Sequence, residues 1–172
     1  MKDTLVVNLI GGPGVGKSTL AAGVFAKLKN EHVDCELITE FAKDLVWEER
    51  IKTFEDEIYV FAKQEHKLFR LKGKVDVVIT DSPLIMVNYY ASNDKELCDL
   101  CTRESKKYNS LNIVLERKTE YDPNGRNQTL EEAESIDTEM INVLKEVDID
   151  YITIPGEFSS VDKIVKLIKE RI

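Results

Sequence analysis

Leu5-Val6-Val7-Asn8-Leu9-Ile10-Gly11-Gly12-Pro13-Gly14-Val15-Gly16-Lys17-Ser18-Thr19-Leu20 is the stretch from which the fold can be read. Leu5–Ile10 is a short, nearly continuous apolar run halted by glycine, the form of a strand covered on both faces in a parallel sheet. Leu20, Val24 and Leu28 then recur at helical spacing. Between strand and helix, Gly11 to Ser18 keeps the spacing G-x-x-x-x-G-K-[ST], with Gly12, Pro13, Gly14, Val15 and Gly16 inside it. Residues without side chains let the backbone wrap a polyphosphate with its N–H groups turned inward, and the following helix adds the positive end of its dipole. Lys17 reaches the β- and γ-phosphates, Ser18 offers its hydroxyl to Mg²⁺, and Thr19 adjoins them in the first helical turn. The cofactors implied are ATP and Mg²⁺.

Working outward, apolar runs recur at 33–39, 75–80, 111–116 and 151–154, separated by helical patterning. Strands alternating with helices predict an α/β fold with about five parallel strands and helices on both faces. Thr129-Leu130-Glu131-Glu132 predicts a capping box, and Ser159-Ser160 a hydroxyl cap for the last helix. The 172 residues show no repeat, linker or low-complexity tract and predict one domain over 1–172. The segment 117–129, with Asp122-Pro123-Asn124-Gly125 inside it, predicts a functional loop.

With 24 basic against 32 acidic side chains, the net charge of −8 has the wrong sign for nonspecific attraction to nucleic acid or anionic lipid. Any anion needs a local pocket, and four of the eight glycines build one. No run approaches a membrane span and no signal peptide opens the chain, which predicts a cytoplasmic protein with no membrane partner. Three cysteines, Cys35, Cys98 and Cys101, suit a reducing compartment. The CxxC spacing of Cys98 and Cys101 has no second pair, so it reads as part of a helix rather than a metal or redox site.

The run 75–80 ends in Asp81, placing a carboxylate at the carboxyl end of a strand, where ligands of open α/β sheets collect. Asp81 is thus the metal-side carboxylate; the alternative is an Asp that opens the turn before Ser82-Pro83. With the glycine loop, Asp81 and the short chain, the sequence resembles the nucleoside and nucleotide kinase branch of P-loop proteins over nearly its whole length, which implies a P-loop NTPase three-layer sandwich. Glu40-Phe41-Ala42-Lys43 resembles the Glu-Tyr-Ala-Arg segment of ribosylnicotinamide kinases and related phage P-loop kinases, some of which phosphorylate 5-hydroxymethyluracil in DNA. Many deoxynucleoside and thymidylate kinases carry an Arg directly after the acidic residue of the third strand. Here Ser82-Pro83 follows Asp81, which leaves the acceptor open.

Glu40, at the end of the second predicted strand, is the general-base candidate for an acceptor hydroxyl; the alternative is a helix-capping or surface Glu. Lys43, one turn later, either holds an acceptor phosphate or pairs with Glu40. Phe61 to Arg70 is similar to the helix of deoxynucleoside kinases that carries a base-reading Gln, which implies that Gln64 reads a base edge; a solvated Gln is the alternative. Trp47 and Phe61 either stack on a base or belong to the core. Arg117 opens and Arg126 lies near the end of the 117–129 segment, which resembles the arginine-bearing lid of small-molecule kinases. Arg126, directly after Asn124-Gly125, is preferred over Arg117, which adjoins a strand.

Two functions compete. One is transfer of the ATP γ-phosphate to a hydroxyl of a nucleoside or nucleotide, or of a modified base in DNA, the net charge favouring the small-molecule acceptor. The other is a nucleotide-dependent switch or NTPase acting through a protein partner. Against the second stand the missing Asn-Lys-x-Asp guanine-reading motif and a length short of the usual AAA+ pair of domains. The sequence leaves the oligomeric state, monomer or dimer, open.

Overall fold

Five parallel strands, β1 (Leu5–Ile10), β2 (Cys35–Ile38), β3 (Val77–Thr80), β4 (Asn109–Glu116) and β5 (Ile152–Pro155), form one sheet in the order β2-β3-β1-β4-β5. This computed structural model describes residues 3–118, 121 and 128–172. Because β1 lies between β3 and β4, its carboxyl end is where successive connections depart to opposite sides, the crevice in which such sheets bind ligands. All six residues of β1 are buried, as the apolar run predicts.

Alternation along the strands sorts the core into layers. Leu5, Val7, Leu9, Val77, Ile79, Ile113 and Leu115 face α1 (Lys17–Asn30) and α8 (Val161–Lys169), whose Leu20, Val24, Leu28, Ile164 and Ile168 complete one cluster. The opposite face carries two separate clusters. One joins Val6, Ile38 and Val78 to α4 (Glu57–Phe69) and α6 (Lys95–Ser105). The other joins Ile10 and Val114 to α7 (Leu130–Glu146).

Three short helices, α2 (Phe41–Trp47), α3 (Ile51–Phe54) and α5 (Val87–Tyr90), lie in the β2-to-β3 and β3-to-β4 connections, too brief to register as periodic patterns. The capping box at Thr129 and Glu132 is formed. The predicted hydroxyl cap of α8 is not: Ser160 has helical backbone angles and no side-chain cap bond, because a 3-10 turn over Phe158–Ser160 leads straight into the helix. β4 begins at Asn109 rather than at residue 111, since ladder bonding carries the polar pair Asn109-Ser110 that an apolar criterion omits.

Candidate functional site

The glycine loop leaves β1 at Gly11 and enters α1 at Lys17. Gly16, the residue before the helix, has φ +97°, and a Cβ there would lie 2.7 Å from the Gly156 carbonyl, so glycine is needed twice over. A Cβ on Gly12 would meet Ala133 O at 2.7 Å and Asp137 Oδ1 at 2.9 Å. The first turn of α1 has no side-chain cap and no acidic residue, which leaves its N–H groups and positive dipole end available to an anion. Ser18 and Thr19 are exposed there.

Lys17 bends back over the loop, its Nζ donating to Gly11 O at 2.6 Å and Gly12 O at 2.9 Å. Burial pushes the ammonium pKa down, while Glu40, Asp81 and Asp137 hold it up and Arg117 opposes them. Lys17 therefore sits at the centre of a charge cluster drawn from β2, β3, β4 and α7.

Asp81 follows the last residue of β3, is only 7% exposed, and its Oδ1 is buried without a hydrogen-bond partner among the described residues. An ionised oxygen left bare in the interior is costly unless something positive meets it. Mg²⁺ usually takes one or two carboxylates, waters and substrate phosphates, so a lone orphaned carboxylate near an exposed serine and a phosphate cradle fits that ion. Among the described residues no group of three or more His, Cys, Asp or Glu is placed to form a metal cage.

Glu40 occupies the residue before α2 but makes no side-chain cap bond, so the capping alternative does not occupy it. Burial raises its carboxyl above the ordinary range; Lys17 opposes that rise, and Asp81 adds to it. Lys43, whose charge also reaches Glu40, is exposed on α2. Lys67 of α4 donates to Thr39 O at 2.9 Å, and its ammonium lies 5.6 Å from the Phe41 ring centroid, bracing the turn that presents Glu40.

Gln64 has a different occupation from the base-reading one that the resemblance implies. It is 4% exposed, its Oε1 accepts from Phe41 N at 3.2 Å and its Nε2 donates to Ser82 O at 3.1 Å. The amide clamps the residue after Glu40 to the residue after Asp81, making Gln64 a positioning residue between the two carboxylates. Phe61 is in the core at 5% exposed, whereas Trp47 stands 75% exposed on α2.

Arg117, just past β4, lies against the loop rather than serving only the strand. Its Nη2 and Nε pair with Asp137 Oδ2 at 2.8 and 3.0 Å, and Asp137 Oδ1 accepts from Gly12 N at 2.5 Å. Nη1 is buried with no hydrogen-bond acceptor among the described residues, 3.4 Å from where a Gly14 Cβ would sit. Tyr121 closes the same side: a Gly14 Cβ would lie 2.9 Å from its ring, Arg117 Cζ is 5.8 Å from the ring centroid, and its hydroxyl donates to Gln128 O at 2.6 Å. Arg126 and Gly125 lie outside the described residues.

Sequence reasoning missed Asp137, Tyr121 and Gly156. Gly156 N donates to Glu116 O at 2.8 Å, and a Cβ would overlap the Val15 carbonyl. Pro155-Gly156 at a strand end is a turn signal that could have flagged it. Gly156→Ala is expected to push the loop out of place at an overpacking cost of about 1–3 kcal/mol. It should lower Tm by roughly 2–10 °C and weaken ATP binding at least about tenfold. Thermal unfolding with and without ATP–Mg²⁺ checks both.

All three cysteines are free thiols. Burial pushes Cys101 up to about 12, which makes it a poor nucleophile. Among the described residues no helix is long and apolar enough to cross a membrane.

No curated protein matches this chain. The family described as the AAA domain matches residues 6–160. With a five-stranded parallel sheet and a glycine loop cradling the start of α1, this protein belongs to that family, a P-loop, nucleotide-binding family of NTPase type.

Proposed function

We propose that this protein is an ATP-dependent phosphotransferase that moves the γ-phosphate to a hydroxyl of a nucleoside or nucleotide, with 5-hydroxymethyluracil in DNA as a further acceptor of the same kind. The observation that carries this reading is Glu40: a carboxylate held at the carboxyl end of β2, in the field of Lys17 and Asp81, with no capping duty. A half-buried carboxylate with a raised pKa beside a phosphate cradle suits accepting a proton from an attacking hydroxyl, or orienting it.

The residues then divide the work. The glycine loop and helix start over 11–19 hold the donor phosphates through the backbone N–H groups of 14–19, Pro13 having none and that of Gly12 being given to Asp137, and Lys17 meets the charge that develops on the β- and γ-oxygens. A bound polyphosphate would favour the ammonium that burial disfavours. Ser18 and Asp81 would hold Mg²⁺, which when bound neutralises phosphate charge as a Lewis acid. Arg117 keeps one guanidinium edge on Asp137 and offers Nη1 toward the loop, a planar donor set matched to phosphoryl oxygens. Arg126 and Lys43 complete the proposed lid and acceptor contacts.

Asp137 acts through Arg117 and Gly12. Asp137→Asn keeps its shape but loosens the guanidinium, so kcat is expected to fall about tenfold while KM for ATP does not rise. A rise in KM with kcat intact would instead give Asp137 a role in binding alone.

The test is phosphate transfer from labelled ATP across a panel of nucleosides, nucleotides and 5-hydroxymethyluracil-containing DNA. Acceptor-dependent label transfer supports the reading. Hydrolysis indifferent to every acceptor but raised by a protein partner would favour the switch or NTPase, in which Glu40 orients water instead of a hydroxyl.

A further inference from the structure

We infer that the cavity on the helix-α7 side of the sheet, at its amino-terminal edge, is a second ligand site for an uncharged, nucleobase-like heterocycle. It has about 420 Å³, within the range of small-molecule sites, and opens where the two apolar clusters of that face fail to meet. Its lining takes Val6 and Asn8 from β1 but not Ile10, and Ser110 and Asn112 from β4 but not Val114, so it lies toward the strand starts, away from the glycine loop.

The floor is polar where a central parallel strand is ordinarily apolar. Asn8 and Asn112 are register partners, and Asn8 is 8% exposed. Their amide orientations follow from the last acceptor. The Asp150 carbonyl can only accept, so Asn112 turns its Nδ2 to it at 3.0 Å. Asn112 Oδ1 then takes Asn8 Nδ2 at 2.8 Å. The relay ends on Asn8 Oδ1, the oxygen that the relay itself leaves without a donor. Ser105, also in the lining, has a buried hydroxyl without a partner there.

A ligand that satisfies both groups brings an N–H to Asn8 Oδ1 and a polar atom to Ser105 Oγ, and presents flat apolar faces to Leu84 and Ile85. A lactam-edged base does this, and the volume leaves room for a sugar. At the rim the exposed Asp148 and Asp150 outnumber Lys106, which disfavours a phosphorylated ligand. The site stands independently of the phosphotransfer reading.

Titration of ¹⁵N-labelled protein with uridine tests it. The side-chain amide resonances of Asn8 and Asn112 should shift and saturate with a Kd of about 1 mM or tighter, without displacing ATP. Ser105→Ala should weaken this binding about tenfold and Asn112→Leu should abolish it, both leaving ATP-induced shifts of residues 11–18 unchanged. Uridine 5′-phosphate should bind several-fold more weakly. The site is overturned if uridine at about 10 mM moves no resonance or moves only those of residues 11–18 and Glu40. It is equally overturned if Ser105→Ala, the milder variant, leaves the affinity unchanged, and the uncharged-ligand assignment fails if the phosphate binds as well as uridine.

Discussion

Lys17→Ala is expected to abolish acceptor phosphorylation, with turnover down at least about a thousandfold. The ammonium is held by two loop carbonyls at 2.6 and 2.9 Å, so it is already placed over the cradle before nucleotide arrives. Removing it takes away more than one phosphate contact. Glu40, Asp81 and Asp137 all lean on this cation, and without it Arg117 is already shared with Asp137 while Glu40 keeps, among the described residues, only Lys43 and Lys67. Glu40 would then titrate still higher, because Lys17 is what opposes its burial. Lys17→Arg is expected not to rescue, since a planar fork cannot replace a compact ammonium between two carbonyls. Label transfer measures the loss, and ¹³C titration of the Glu40 carboxyl measures the second effect. Retention of a tenth of the activity by Lys17→Ala would remove the lysine from the proposed mechanism.

Much of this site was legible because its chemistry is local. A phosphate cradle needs glycine at fixed offsets between a buried strand and a helix start, and each requirement leaves a mark in sequence, from the Leu5–Ile10 run to the apolar stripe of α1. Glu40 and Asp81 were visible for the same reason, as carboxylates at the ends of apolar runs. What escaped was made by distance along the chain. Asp137 is one polar residue on an amphipathic helix until β4 and β1 bring Arg117 and Gly12 against it, 20 and 125 positions away. Gly156 looks like any turn glycine until the Val15 carbonyl occupies the space of its missing side chain. Gln64 shows the converse limit: sequence leaves a base-reading amide and a solvated one as alternatives, and burial removes the solvated one, since a covered amide must satisfy itself on whatever backbone lies near. The partners it meets, Phe41 N and Ser82 O, lie on two connections that only the fold brings together.

Glu40→Gln is expected to lower turnover about a hundredfold with ATP affinity nearly unchanged, because the carboxylate stands before α2, outside the glycine loop that forms the cradle. The wild-type rate should depend on pH in a direction the structure sets. Burial raises the Glu40 pKa, so the proton-accepting form fills only above the ordinary carboxylate range, and kcat should climb with pH through a limb higher than a free glutamate's value of about 4.3. Gln has no such limb. Stability should run the opposite way. A carboxyl whose folded pKa is raised contributes stability while both states can be protonated, and that contribution is lost as pH rises through the folded pKa. Ionising Glu40 thus puts a charge in a place that disfavours it, and Glu40→Gln relieves this. Its Tm should exceed wild type by roughly 1–4 °C at pH 7, the difference shrinking toward pH 4 as wild-type Glu40 takes up its proton. A variant that is slower yet more stable at neutral pH is the signature of a group held for chemistry. If Glu40→Gln kept full turnover, or lost stability at pH 7 along with activity, the carboxylate would be a structural support of the β2–α2 turn and the general-base role would be wrong.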